Sequence, residues 1–203
     1  MRTDLHLEIT CERARRLGPI AKFAATLLML LFSAQILTAP ETRAQDSLPE
    51  YQVKAAYLFN FLKFVEWPGD APGPWSICVI GENPFGNGLA QAVSGKSAQG
   101  HELLVKDSLA PADLHACHVL FVSASEKKRL PALLAALKGS TTLTVGDMDN
   151  FAGSGGMIQF VAEDGRVRFV INVGAASGAG LKVSSKLLSL AQSVTGTEGS
   201  ARN

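Results

Sequence analysis

Cysteine is scarce in this chain, three in 203 residues, and charged residues make up only 18%. Three cysteines cannot build the multiply bridged framework of a small secreted scaffold. Basic and acidic residues nearly cancel, 19 against 18, so the chain carries no excess positive charge of the kind that phosphate neutralisation on nucleic acid requires. The aromatic content is also low, at 7%. What is abundant is aliphatic: 47% of the residues are hydrophobic, which excludes a disordered chain. The length suits one ordinary domain with an appendage.

The appendage is at the front. Phe23 to Leu37 forms an uncharged apolar run preceded by Arg13, Arg15, Arg16 and Lys22. A bilayer span needs about twenty apolar residues, so this run is short for one. A basic flank, a short apolar core and a following Thr42-Arg43-Ala44 fit a secretory signal with a small-residue cleavage site. Residues 1–44 are therefore expected to be removed after Ala44, the alternative being an uncleaved anchor. Arg15-Arg16 lacks the residues that would follow in a twin-arginine export signal. Removing the segment takes away six basic and four acidic residues together with Cys11, and leaves net charge −1 on about 159 residues. No other run approaches spanning length, and no cysteine near the cleavage site offers a lipid anchor. A soluble periplasmic domain without stable membrane insertion is expected.

Tyr51 to Trp67 contains no breaker and spaces Tyr51, Ala55, Leu58, Leu62 and Val65 for a helix of about four turns. Pro68 to Pro74 ends it. Trp75 to Gly81 and His118 to Ser123 are short, nearly continuous apolar runs, which predict strands buried on both faces. His101 to Lys106 and Thr141 to Val145 read as weaker strands. Short helices are expected over Phe85 to Val93 and, starting at Ser125, as far as Leu137, with Pro131 intruding near the first turn of the latter. Asp164-Gly165 between two apolar runs, Gly156 to Ala162 and Arg166 to Asn172, is a hairpin signal. Ala179 to Val194 places Val183, Leu187, Leu190 and Val194 on one helical stripe. The reading is an α/β layered single domain over residues 45–195. Its mixed sheet ends in an antiparallel hairpin in the C-terminal half and is flanked by helices, with a disordered tail from 196 to 203.

Signals for chemistry are incomplete. Gly81 to Gly88 sits between a strand and a helix but has neither the GxGxxG spacing nor a Lys-Ser/Thr, so it reads as a turn. His115, Cys117 and His118 lie within four residues, yet strand alternation would point Cys117 and His118 apart and no second ligand cluster exists. His101 reads as an isolated surface residue. Ser123, Ser125 and Ser184 have no nucleophile-elbow context, and Asp147 and Asp149 sit in a Gly-rich loop. The expectation is therefore no enzyme, no cofactor and no metal. Cys78 and Cys117 remain in an oxidising compartment, where they form either a disulfide or two buried thiols packed as small apolar side chains. Tyr57, Phe61 and Phe64 form a second apolar stripe on the first helix, serving either the core or an interface with a partner or a second copy. Arg166, Arg168 and Asn172 are candidates for a ligand pocket.

Five blocks in order, KAAYLFNFLKFVEWP (54–68), ICVIGENPFG (77–86), ACHVLFVS (116–123), TLTVGDMDNFAGSGGMIQFV (142–161) and VRFVINVGAASGAGLKVSSKLLSLA (167–191), resemble the YfiR family. The resemblance covers almost all of the chain after the leader. It implies an exported α/β protein without catalytic activity that binds the periplasmic domain of a membrane diguanylate cyclase of the YfiN type. In that role it would repress the cyclase, lowering cyclic di-GMP and biofilm formation, and would tend to form a homodimer. Cys78 and Cys117 match the spacing of one cysteine pair of the family, while a second pair found in some members has no counterpart here. The alternative is a periplasmic small-molecule-binding module acting on another membrane receptor, such as a sensor kinase.

Overall fold

A computed structural model describes residues 47–69, 72–107 and 111–196. The expected leader, its cleavage site and the tail from 197 onward lie outside the described residues. The chain opens with α1 (Ser47–Phe64), β1 (Val65–Glu66), β2 (Trp75–Ile80), α2 (Gly88–Val93), β3 (Ser97–Ala98) and β4 (His101–Lys106). A 3-10 turn over Pro111–Ala116 leads into β5 (Val119–Val122), and a second one over Ala124–Glu126 precedes α3 (Leu130–Ala136). Then follow β6 (Leu143–Gly146), β7 (Ile158–Glu163), β8 (Arg166–Asn172), α4 (Val173–Gly178), β9 (Lys182–Val183), α5 (Ser185–Leu190) and β10 (Ser193–Thr195).

Eight strands form one mixed sheet in the order β10-β8-β7-β6-β5-β2-β4-β3. Pairing is parallel from β4 through β2, β5 and β6 to β7, antiparallel between β7 and β8, and parallel again between β8 and β10. Every residue of β2, β5 and β6 is buried, the condition that parallel strands joined by crossovers impose. Alternate side chains therefore feed two cores. On one face Ile77, Val79, Val119, Phe121, Leu143 and Val145 meet Ala55, Leu58, Phe61, Leu62 and Val65 of α1 and its end. On the other, Cys78, Ile80, Leu120 and Val122 meet Leu114, Leu130, Leu133, Leu137 and Phe151.

The β7–β8 hairpin turns through Asp164 and Gly165, both at positive φ (50° and 70°), the conformation that the tight two-residue hairpin turn demands. Pro131 falls in the first turn of α3, where its missing N–H costs nothing. It therefore opens a separate helix rather than interrupting one begun at Ser125. The first helix stops at Phe64, three residues earlier than its apolar spacing suggests. Val65 and Glu66 pair instead with Val183 and Lys182, and Gln99 donates its side-chain amide to the carbonyls of Leu62 and Val65 at 2.8 Å each, capping the helix end.

The helix expected over Ala179 to Val194 is not formed as one unit. Gly180 takes φ 76°, Lys182–Val183 are captured by β1, and the Ser184 hydroxyl accepts the Leu187 N–H to start α5 afresh. Of the expected stripe, Leu187 is buried, whereas Leu190 and Val194 are 53% and 37% exposed. A left-handed glycine, a strand pairing and a fresh N-cap thus overrode a helical periodicity that carried no strong cap of its own.

Cys78 and Cys117 are joined by a disulfide, their Cα atoms 5.9 Å apart. Cys117 is not on a strand: its N–H bonds the Leu114 carbonyl at the end of the 3-10 turn, and this turn swings it over the second core beside Cys78. Next to it lies His118, and His101, expected to be an isolated surface residue, packs into the same ring stack. The His118 ring stacks on Trp75 (centroids 4.9 Å apart), whose other side carries His101 at 4.6 Å. His118 Nδ1 accepts the Ser76 N–H at 3.2 Å. Burial first, then the charges of His101 and Lys106, holds its pKa below the ordinary histidine range.

Two outcomes follow. The disulfide closes a separation of 39 residues, so the Cys78→Ala/Cys117→Ala protein should be less stable by roughly 2–4 kcal/mol in urea unfolding, and the parent should expose its two alkylatable thiols only after reduction. His118 is lowered in the fold, so the unfolded state binds its proton more readily. Stability should be complete above about pH 6.5, the unfolded value, and decline as pH falls below it. Urea titrations at neutral and mildly acidic pH should show that decline, and His118→Asn, which keeps an acceptor for Ser76, should flatten it.

Candidate functional site

The N-terminal half of α1 lies across the end of β6 and the β7–β8 hairpin, and this crossing builds a groove. A cavity of about 530 Å³ is lined by Glu50, Val53 and Tyr57 of α1 and by Ala162, Gly165, Arg166, Val167 and Arg168 of the hairpin. A second, of about 350 Å³, shares Glu50 and Ala162 with it and reaches Lys54, Asp147, Asp149, Gln159, Phe160 and Val161. Both volumes are in the range of small-ligand pockets. A third cavity of about 450 Å³ lies between α3 and α4, with Leu134, Lys138, Ser140, Met157 and Ala179 in its lining.

The groove has an aromatic floor. The Tyr57 ring stands edge-on to Phe169 at 5.3 Å and stacks on Phe61 at 6.1 Å, while Phe61 meets Phe160 and Phe169 at 5.8 and 5.3 Å. Phe61 is fully buried. It is a core residue and is withdrawn from the interface stripe, because the hairpin it packs against closes the side of α1 that the helical wheel left open. Tyr57 and Phe64 are half-buried, but they serve different places: Tyr57 lines the groove, whereas Phe64 lies under the ammonium of Lys186, 5.2 Å from its ring centroid.

Beneath the groove lies a charge cluster that sequence reasoning missed. Lys54 is 4% exposed, and its Nζ contacts Asp147 Oδ2 at 2.7 Å and Glu50 Oε1 at 2.6 Å. The Tyr51 hydroxyl donates to the same Asp147 oxygen at 2.8 Å. Burial, reinforced by the bond to Asp147 and by the Asp147 and Glu50 charges, pushes the Tyr51 phenol well above its usual range, so it stays a donor. A buried ammonium is tolerated only when paired and hydrogen-bonded. Here one charge on the helix is tied to one at the end of β6, across 93 residues of sequence. Lysine within an apolar helix and aspartate in a Gly-rich loop each look solvated when taken singly, so no local pattern identifies the pair.

The two arginines expected in a pocket do line the groove. Both are exposed, and Arg168 Nε lies 3.6 Å from Glu163 Oε2, a weak contact that leaves donors for a ligand or partner. Asn172 does not join them. Its Oδ1 accepts the Ala175 N–H and its Nδ2 donates to the Ala152 carbonyl, each at 3.0 Å, so both ends of the amide are spent capping α4 and holding the loop before β7. Among the described residues no cluster of three or more His, Cys, Asp or Glu is placed to hold a metal ion.

Removing one partner of the buried pair should be costly. Lys54→Met, which leaves Asp147 without its counter-charge, should lower stability by about 3 kcal/mol. Lys54→Met with Asp147→Asn should cost less than the two single changes summed, as read by urea unfolding in a double-mutant cycle.

No curated protein matches this chain. Among solved structures it is similar to a conserved domain protein from Vibrio cholerae, with TM-score 0.47 and 15% identity, and to an ABC domain in complex with L-Trp from Streptococcus pneumonia, with TM-score 0.48 and 11% identity. Each similarity covers 71% of this chain and 60% of the other, so the chain spans about three fifths of the length of the structures it matches. The YfiR/HmsC-like family matches residues 51–192, from the Tyr51 that reaches Asp147 to the residue before β10. The chain belongs to the YfiR/HmsC-like family.

Proposed function

We propose that this protein is an exported regulator that binds the periplasmic domain of a membrane diguanylate cyclase of the YfiN type and holds it inactive, lowering cyclic di-GMP and biofilm formation. The family match over residues 51–192 carries this reading. The protein acts by binding rather than by catalysis, and it resides in the periplasm after export through the leader of residues 1–44. Among the described residues no helix is long and apolar enough to cross a membrane.

Such a repressor works by population shift. It must bind the inactive receptor better than the active one, and each tenfold difference in affinity moves the ratio of receptor states by about tenfold. We assign the receptor to the groove, where Tyr57 offers an aromatic face and Arg166 and Arg168 offer exposed charge. Such residues carry most of the energy in protein interfaces. A second copy of the chain is the other expected partner, and sedimentation velocity reads it directly.

The groove's volume and its arginine rim also favour a second reading, in which a small ligand sets the affinity for the receptor. A thermal-shift screen with nucleotides, amino acids and vitamins separates the two readings, since a ligand selective for the folded state raises the melting temperature. For the repressor itself, deleting the gene should raise cellular cyclic di-GMP, and the tagged protein should co-purify with the cyclase. Arg166→Glu with Tyr57→Ala should weaken that co-purification by tenfold or more, about 1.4 kcal/mol, without a loss of fold. Unchanged cyclic di-GMP in the deletion strain would exclude the proposal.

A further inference from the structure

We propose that the outer side of the helix layer around the C-terminal half of α1 is a docking surface for an anionic membrane. Three exposed lysines from three segments border it, two over Phe59 and one over Phe64 on the other flank of the helix. Lys63 of α1 and Lys96 from the turn after α2 place their ammonium groups 5.2 and 4.9 Å from the ring centroid of Phe59, and Lys186 of α5 sits 5.2 Å from that of Phe64. None of the three makes an ion pair among the described residues, where the paired cations are Lys54, Arg129 and Arg168. Each ammonium faces a ring, and Lys63 lies in the last turn of α1, where the carbonyl end of the helix favours a cation. The acidic Glu66 just beyond stands opposite Lys182 in the β1–β9 pairing.

This concentration stands out because the chain without its leader has net charge −1. Beyond about 8 Å at physiological salt, exposed charges are screened, so only a partner brought close would register the patch. Its chemistry favours a lipid surface over a protein pocket. The cations are lysines, compact point charges on flexible stems, and not arginines with a planar fork for a fixed carboxylate. Phe59 and Phe64, both half-buried, lie beneath the ammonium groups, so the patch combines apolar rings with exposed lysines as interfacial elements do. None of the three cavities is lined by Lys63, Lys96 or Lys186. The groove assigned to the receptor lies toward the other end of α1, so both surfaces can be occupied together. A regulator held loosely on the bilayer searches for its receptor in two dimensions.

The test is co-sedimentation of the protein, as recovered from exporting cells, with vesicles of phosphatidylglycerol mixed with phosphatidylcholine and with vesicles of phosphatidylcholine alone. Binding should favour the anionic vesicles and fall as salt rises. Lys63→Gln/Lys96→Gln/Lys186→Gln should reduce it about a hundredfold, at roughly fivefold for each lysine near the surface, while an unchanged melting temperature shows that the fold is retained. Should the triple variant fail to fold, Lys96→Gln alone, on an exposed turn, should give roughly the fivefold step. An apolar leader left uncleaved would bind both vesicle types without regard to these lysines, so the difference between parent and variant is the reading. Equal partitioning of parent and variant, or binding indifferent to lipid charge, would overturn the proposal. So would a variant that loses the receptor but keeps its vesicle binding, which would assign the patch to a protein.

Discussion

Three adjacent parallel strands, β2, β5 and β6, are buried along their whole length, and the rest of the molecule is arranged to meet that condition. Parallel strands with both faces apolar are stable only when each face is covered, because every uncovered residue would leave aliphatic surface in water. One face receives α1, the longest helix among the described residues. The other receives shorter pieces: the 3-10 turn before β5, α3, and the loop that carries Phe151. The disulfide belongs to this second, more fragmented cover, where it ties the turn holding Cys117 directly to β2.

Covering the sheet with a long helix creates a problem at the helix's N-terminal half, where α1 passes over the polar end of β6. The Lys54–Asp147 pair with Tyr51 answers it. A buried ion pair contributes little net stability compared with apolar residues of the same shape; its value here lies in direction. It fixes where along α1 the sheet end must sit, and this in turn sets how far the helix stands from the hairpin tip. The groove between Tyr57 and Arg166 is the space left over. The same helix therefore serves as core, as wall of the candidate receptor site and, at its other end, as carrier of the lysine-covered rings.

The central strands were legible in the sequence because unbroken runs such as Trp75 to Ile80 and Val119 to Val122 admit few other buried arrangements, and the hairpin was legible because Asp164-Gly165 suits the two positive φ angles of its turn. The C-terminal segment reads as one helix in the sequence, and the structure divides it. Its apolar spacing satisfied a helical stripe, but Gly180 and the Ser184 cap divided it, and short strands claimed the residues on either side. Strands of two or three residues, such as Lys182–Val183, carry too little pattern to announce themselves; their partner supplies the evidence. The candidate site was half legible. Tyr57, Arg166 and Arg168 drew notice as exposed-looking aromatic and basic residues, but they were placed in two separate roles that the groove unites. Asn172, a polar pocket candidate beside the two arginines, is a helix cap.

By itself the sequence determined the layered α/β class, the positions of the longer strands and the hairpin, the family resemblance and the cysteine pair as a candidate, since all of these rest on local pattern or on blocks of residues in order. Only the tertiary structure decided that Phe61 is core, that Cys117 meets Cys78 from a turn, that Lys54 finds Asp147, and that two faces of one helix lead to two different surfaces. Each of those outcomes depends on residues tens of positions apart. Whether a side chain is solvated, paired or packed is a property of what the fold brings against it, and periodicity along one segment does not contain that information.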